Sequence, residues 1–440
     1  MLNKLFKLDQ KHTTVKTEIL AGVTTFLAMA YILGVNPAIL GDAGMDMSAV
    51  FMATAISSGV ACLIMGLLAN YPVALAPGMG VNALFAYTIC LGMGYSWQAA
   101  LAAVFVSGIV FVLISVTGVR KLIIDAIPVQ LKTAIGAGIG FFIAFVGFKN
   151  AGIIIANEST FVGLGNLGDP AVLLAVFGIL VTIFCLVRKV PAAVFVGLVI
   201  TAILGIILGL FGLENMPMLP ADWGINFDFS AVGACFSGFG ELFANPMSAL
   251  VIIFSFLFVD FFDTAGTLVA VGNSIGLVNR QGELENAEQA LLADSLGTVF
   301  GAIMGTSTVT SFVESTSGVA VGGRTGLTAC TTGVLFLLSI FISPIILSAI
   351  TNAVTAPALI VVGVLMAQQL RGIDWDNMVY AISAFITVIS MILTYSISNG
   401  IAFGFIAYTV SMIAAGKAKD IHVTVWVLMV IFVLYFAFAI

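Results

Sequence analysis

Charge is what this sequence has least of. Asp, Glu, Lys and Arg together make up 8% of its 440 residues, whereas 61% are hydrophobic and the mean hydropathy is +1.20. A chain so poor in polar groups cannot cover a water-soluble globule of its size, which excludes a soluble protein and leaves an integral membrane protein. Histidine is nearly missing: His12 and His422 are the two present, both at expected cytoplasmic edges, so no buried imidazole is available to carry a proton. The five cysteines, Cys62, Cys90, Cys185, Cys235 and Cys330, stand singly, without metal-site or redox spacing, and are expected to be small core residues. No His/Cys cluster and no nucleophile–base pair suggests an enzyme. No basic stripe relieves the net charge of -6, which argues against nucleic acid as a partner. The phosphate-cradling motif of an ATP-driven pump is missing too, which favours a secondary transporter.

What the sequence has in abundance is apolar runs of membrane-crossing length. Spans are expected near 17-36, 47-69, 73-89, 97-117, 127-147, 170-188, 191-212, 247-271, 288-304, 306-323, 325-349, 353-370, 376-395 and 397-415, fourteen in all. Cytoplasmic loops are enriched in Lys and Arg, so the basic residues check that count. With the N-terminus inside, every Lys and Arg falls at a cytoplasmic end except Lys149. The outer loop at 213-246 carries Glu214, Asp222, Asp228 and Glu241 and no basic residue. The opening "MLNKLFKLDQKHTTVKTEIL" lacks the apolar core and cleavage site of a secretory signal and is expected to be a retained cytoplasmic segment. The last apolar run, 421-440, either crosses or packs alongside.

Two spans do not make comfortable helices. Span 3, "YPVALAPGMGVNALFAYTI", contains Pro72, Pro77, Gly78 and Gly80; span 10, "GTSTVTSFVESTSGVAVGG", is dense in Thr, Ser and Val. Backbone broken at membrane depth is tolerated only where protein buries it or water lines it, and paired breaks in matching halves point to a transporter site. Both segments follow an Ile-Met-Gly, and the seven spans between them turn the second copy upside down. Two inverted halves, about 17-212 and 247-415, are therefore expected.

Four acids lie at depth: Asp260 and Asp263 in span 8, Asp294 in span 9 and Glu314 in span 10. Each ionised carboxylate near the bilayer centre costs roughly 2.5 to 3.5 kcal/mol on insertion scales, and no intramembrane Lys or Arg offsets the four. Asp260 and Asp263, three apart, share a helix face. Clustered acids without a basic partner repel, so at least one is expected to hold a proton at neutral pH, as a proton-coupling site requires. The plainer alternative is that some of them accept from broken backbone or Ser/Thr hydroxyls. Asn82, after the "PGMG" turn, can donate and accept toward a planar heterocycle, or cap the short helix that restarts there.

The strings "TTFLAMAYILGVNPAIL" (24-40), "LAPGMGVNALFAYTI" (75-89), "FLFVDFFDTAGTL" (256-268) and "GTSTVTSFVESTSGV" (305-319) resemble those of the AzgA-like purine permeases, a branch of the nucleobase-cation-symporter-2 (nucleobase-ascorbate) family. The resemblance implies an all-α polytopic membrane protein with two inverted seven-span repeats in the uracil-transporter-like fold. It also implies proton symport of adenine, guanine or hypoxanthine across the cytoplasmic membrane, with no cofactor beyond the coupling proton. A core (17-117 and 247-349) would slide against a gate (118-212 and 350-415), flanked by the N-terminal segment 1-16, the loop 213-246 and the hydrophobic tail 416-440. Carried onto this chain, the family's purine and proton residues correspond to Asp260, Asp263, Asp294, Glu314 and Asn82. The working assignment gives the purine Glu314, Asp260, Asn82, Thr264 and Thr310, with Phe258, Phe261 or Phe85 stacking on its face, and gives the proton Asp263 and Asp294. The expected partners are the purine, protons, the lipid bilayer and a second copy through the gate. A same-fold carrier of another nucleobase or a small anion, and an uncoupled channel, are the alternatives.

Overall fold

The computed structural model describes residues 2–117, 128–275 and 286–438. Arg120, Lys121 and Arg280, which enter the orientation argument, lie outside the described residues. Each of the fourteen expected segments holds helical structure. Among the described residues, nine helices are long and apolar enough to cross a membrane, and four shorter apolar helices accompany them. Their starts follow local chemistry: the side chains of Thr14, Asp46 and Asp169 accept from backbone N–H groups of the turns they begin, and Pro170 occupies the position where a missing N–H costs nothing. Leu180, Phe184, Ile203 and Leu210 point outward from the helices Pro170–Val187 and Ala193–Leu210, as a lipid-facing surface requires.

The helices pack in two groups. In one, Gly326–Leu338 lies against Val15–Met29 and Met47–Ile64, and Ala287–Met304 packs on Met47–Ile64 and Trp97–Thr117. In the other, Asn352–Ala367 packs on Val129–Asn150 and Pro170–Val187, and Met378–Leu393 pairs with Ile397–Ala414 and Val129–Asn150. Small residues let these backbones meet: a Cβ on Gly363 would stand 2.5 Å from the Gly140 carbonyl oxygen. The final helix, Val423–Phe438, packs alongside Ile397–Ala414 and Pro246–Ile275, with the Phe432 ring against Phe254 and Phe405.

Span 1 is two helices, Val15–Met29 and Ile32–Asp42. Pro37 in the second cannot donate to the Leu33 carbonyl and crowds it, and the chain upstream tightens so that Gly34 N–H bonds to Tyr31 C=O. Tyr31 stands between the two helices and is buried. Another buried acid, Glu18, has a plainly structural role. It accepts from the N–H groups of Arg324 and Thr325 and from the Thr328 hydroxyl, at the start of the helix Gly326–Leu338.

The all-α expectation needs one refinement. The broken spans meet as two three-residue strands, Leu75–Pro77 (β1) and Val309–Ser311, paired antiparallel in the register Leu75↔Ser311, Ala76↔Thr310, Pro77↔Val309. A hairpin, Ile154–Asn157 with Phe161–Leu164, lies in a loop. Numbered in chain order, the hairpin strands are β2 and β3 and Val309–Ser311 is β4. Span 3 then continues as a helix Met79–Ala83 that runs into a wide π-helical turn, Leu84–Gly92, and span 10 continues as Ser315–Val321.

Candidate functional site

The crossing of β1 and β4 places the site. Gly78 N–H bonds to Thr308 C=O and Phe312 N–H to Ala74 C=O, so alternate pairs between them, Leu75↔Ser311 and Pro77↔Val309, are the non-hydrogen-bonded ones. That register tolerates Pro77, which has no N–H to give. It also turns the backbone groups of Leu75, Ser311 and Val309 outward, where buried polar groups must find partners. Side chains of the flanking helices supply them: Cys62 meets Leu75, Thr264 meets Ser311 N–H at 3.5 Å, and the Thr298 hydroxyl meets Val309 C=O at 2.9 Å.

Two of the four acids sit among these hydroxyls. Asp294 is fully buried; its Oδ1 accepts from Thr264 and from Ser311, each at 2.8 Å. Thr264 in turn lies 2.7 Å from the Thr310 hydroxyl. Asp260, 2% exposed, has Oδ2 3.0 Å from the Thr298 hydroxyl. Asp260 Oδ1 and Asp294 Oδ2 are buried without a partner among the described residues, and the two carboxyl groups feel each other's charge.

The other two acids face a different environment. Asp263 and Glu314 are half-buried and interact electrostatically with one another. Tyr31, 1% exposed, donates its hydroxyl to Glu314 Oε1 at 2.7 Å and is close to Asp263 as well. Glu314 stands immediately before the helix Ser315–Val321, and its neighbour Val313 is 49% exposed. The four acids are thus two pairs: one sealed among hydroxyls, one open.

The remaining expected residues are placed as follows. Asn82 is fully buried; its Oδ1 accepts from Ser307, it does not cap the helix Met79–Ala83, and its Nδ2 has no partner among the described residues. Phe85, Phe258 and Phe261 are all buried against other rings: Phe85 beside Phe256, Phe258 between Phe254 and Phe405, and Phe261 edge-on to Phe111. Phe258 therefore sits where the helix Pro246–Ile275 meets Ile397–Ala414, whereas Phe261 turns toward Trp97–Thr117. Tyr31, Thr298, Ser307 and Ser311 join the site without having been singled out from the sequence. The sole signal for Tyr31 was the Pro37 break after it.

On one side of the site, hydrogen bonds tie neighbouring elements together. Tyr87 OH donates to Asp42 at 2.8 Å and receives from Asn150, Lys149 Nζ reaches Tyr395 OH at 3.2 Å, Ile397 N–H bonds to Thr88, and the Ser398 hydroxyl donates to Ser255 at 2.9 Å. On the side of the acidic loop, the Asn150–Tyr87, Ile397–Thr88 and Ser398–Ser255 bonds join the helices around the broken spans to the second group. Beyond them lies a cleft of about 450 Å³ edged by Tyr95, Tyr395, Tyr435 and Asn245.

Chemically, the open pair offers carboxylate acceptors, held in place by a tyrosine, beside the start of a half-helix. Such a face receives N–H donors and repels anions. Among the described residues no group of three or more His, Cys, Asp or Glu is arranged to hold a metal.

Comparison with known proteins agrees with this architecture. The chain is 49% identical to the guanine/hypoxanthine permease PbuG of Bacillus subtilis (strain 168), over 99% of this chain and 100% of that protein. It is 42% identical to the adenine permease AdeQ of Escherichia coli (strain K12), over 98% of this chain and 95% of that protein. Among solved structures, the transmembrane domain of the cyanobacterium bicarbonate transporter BicA superposes with a TM-score of 0.63 at 16% identity, covering 91% of this chain and 97% of that one, which shows the shared transporter fold alone. The model of the permease family matches residues 16–403, and with relatives this similar over nearly its full length the chain is a multi-pass membrane transporter belonging to that permease family.

Proposed function

We propose that this protein takes up purine nucleobases, from among guanine, hypoxanthine and adenine, across the cytoplasmic membrane in symport with protons. The observation that carries the reading is the half-buried Asp263–Glu314 pair, tied to Tyr31 and set at the crossing of two broken spans. A purine presents ring N–H groups that two carboxylate oxygens can accept, while the unspent Nδ2 of Asn82 lies in the half-helix opposite and can meet a ring acceptor. The names of similar proteins, guanine/hypoxanthine and adenine permeases, support the same substrate class. An acid-lined site argues against an anionic cargo in spite of the fold shared with a bicarbonate transporter.

In the proposed cycle, the core (17–117 and 247–349) carries the purine past the gate (118–212 and 350–415), the N-terminus is cytoplasmic, and gates of two copies meet in a homodimer. The bonds joining Tyr87, Thr88 and Ser255 to Asn150, Ile397 and Ser398 would part when the site turns to the outside. A membrane potential supplies about 2.3 kcal/mol per charge per 100 mV, so one proton per cycle supports roughly a fiftyfold purine gradient at that potential.

The test is uptake of labelled guanine, hypoxanthine and adenine, each challenged by the others, in energised membrane vesicles. Accumulation that collapses with a protonophore supports the proposal. Accumulation that ignores the protonophore and follows sodium, or uptake of bicarbonate or sulfate indifferent to purines, overturns it.

A further inference from the structure

The cleft of about 450 Å³ on the side of the acidic loop has the volume of a small-molecule site, and its walls come from three parts of the chain. Thr88, Tyr95 and Ser248 belong to the group around the broken spans, Tyr395 and Asn399 to the second group, and Tyr435 to the final helix. Val423, the first residue of that helix, lies beside Pro128, at the opposite end of Val129–Asn150 from Lys149. The run 421–440, open in the sequence between crossing and packing alongside, thus carries Tyr435 from one side of the bundle to the other. Ser248 and Tyr435 are each 3% exposed, and neither hydroxyl has a hydrogen-bond partner among the described residues. The Asn399 side-chain amide is unpaired as well; only its backbone N–H is bonded, to the Ser396 hydroxyl. Buried polar groups are costly without a partner, so these three are expected to meet theirs in the cleft. The nearby charges are already engaged. Glu241 accepts from the Ser96 N–H and hydroxyl, Lys149 donates to Tyr395, and no Lys or Arg lines the cleft. Phenol rings, hydroxyls and an amide without a free charge suit a neutral, planar ligand that carries both donors and acceptors on its rim.

We propose that this cleft is a second nucleobase site, separate from the Asp263–Glu314 pair, and that a base bound there holds the protein in the present conformation. This rests on the purine reading above and on the movement of the two groups in its proposed cycle. Thr88, which lines the cleft, accepts from the Ile397 N–H in one of the bonds that join the groups. A base held between Ser248 on one group and Asn399 on the other touches both, and displacement of one group past the other takes a wall away. The final helix keeps Tyr435 at that seam, with Phe432 packed against Phe254 of one group and Phe405 of the other. The base therefore binds best to the joined arrangement, and a ligand shifts an equilibrium toward the state that it binds better. External base at high concentration fills the cleft and slows the cycle that low concentrations support.

The test measures initial rates of uptake of labelled hypoxanthine, guanine or adenine, whichever the wild type transports, by the full chain in right-side-out membrane vesicles. External base is varied from well below KM to far above it. The wild-type rate is expected to pass through a maximum and then fall. Tyr435→Phe and Ser248→Ala each remove one hydroxyl and are expected to raise the concentration of half-inhibition about fivefold, the scale of one hydrogen bond, with the low-concentration rate unchanged. A second measurement reads occupancy directly. Thr394→Cys, at the edge of the cleft, is expected to react with a membrane-impermeant maleimide added outside, above the background of the five buried native cysteines. External base is expected to slow that reaction, and to slow it equally when Glu314→Gln is present. A wild-type rate that saturates without falling, or a fall that both hydroxyl variants leave unaltered, overturns the second site. So does Thr394→Cys that is unlabelled from outside, unprotected by base, or protected only while Glu314 is intact. Each of these results, with normal uptake at low concentration, leaves the purine reading standing. A wild type that takes up no purine at low concentration overturns that reading itself.

Discussion

The buried pair Asp260–Asp294 and the open pair Asp263–Glu314 are built from the same functional group, yet their surroundings differ in kind. The first is surrounded by the hydroxyls of Thr264, Thr298 and Ser311 and is shielded from solvent. The second is half-buried and held by the one phenol of Tyr31. Hydroxyls can follow a carboxyl group through a change of protonation, because each can rotate between donating and accepting. A carboxylate fixed by a tyrosine and left partly open is instead suited to receive a donor from a ligand. On the proposed function, the first environment suits a proton and the second a purine, the reverse of the roles that the family resemblance gave Asp260 and Asp263.

Removing the charge from the open pair should have the largest effect. Glu314→Gln is expected to lose both pH-driven accumulation and exchange, by on the order of 10- to 100-fold, because hydrogen bonds to a charged acceptor contribute about 1.5 to 3 kcal/mol. The buried-pair variant Asp260→Asn is expected to lose accumulation only. Equal loss of both activities in the two variants would erase the distinction between the pairs. Immunodetection of each variant in the membrane fraction separates lost function from lost insertion.

A smaller effect is expected from Tyr31→Phe. It keeps the ring and removes the bond to Glu314 Oε1, worth about 1 kcal/mol, so KM for the purine should rise roughly fivefold with little change in kcat. A change in kcat at constant KM would move Tyr31 from holding the binding carboxylate to some other step.

Much of this was open to reading in the sequence, for physical reasons. Apolar runs must match the bilayer, and Trp97–Thr117 begins and ends where hydropathy sets it. Proline and glycine in "YPVALAPGMG" and the Thr/Ser/Val run in "GTSTVTS" forbid plain helices, so the two breaks were legible; that they pair as strands in one register was not. The pairing joins residues far apart in sequence, and three-residue strands leave no periodicity to read. The acids were visible as costly residues at depth, but not their division into pairs. Asp260 and Asp263 do share one face of Pro246–Ile275, yet that face is divided between Ala287–Met304 with β4 on one part and Glu314 with Tyr31 on the other. Tyr31 reaches Glu314 across 283 positions of sequence, and nothing local in "AMAYILGVNP" predicts that. The aromatic side chains were the least legible. Phenylalanine is so frequent in this chain that position alone could not separate Phe258, at the boundary between helix groups, from Phe261, packed on Phe111.

The central claim, that purine movement carries protons with it, is tested most directly by a pH-sensitive dye trapped inside proteoliposomes holding the wild-type protein, with no imposed gradient. Addition of a transported purine to the outside, with potassium and valinomycin to clamp the voltage, should acidify the lumen in step with uptake of the labelled base. Uptake of the base at a normal rate with no change in lumenal pH would contradict the account.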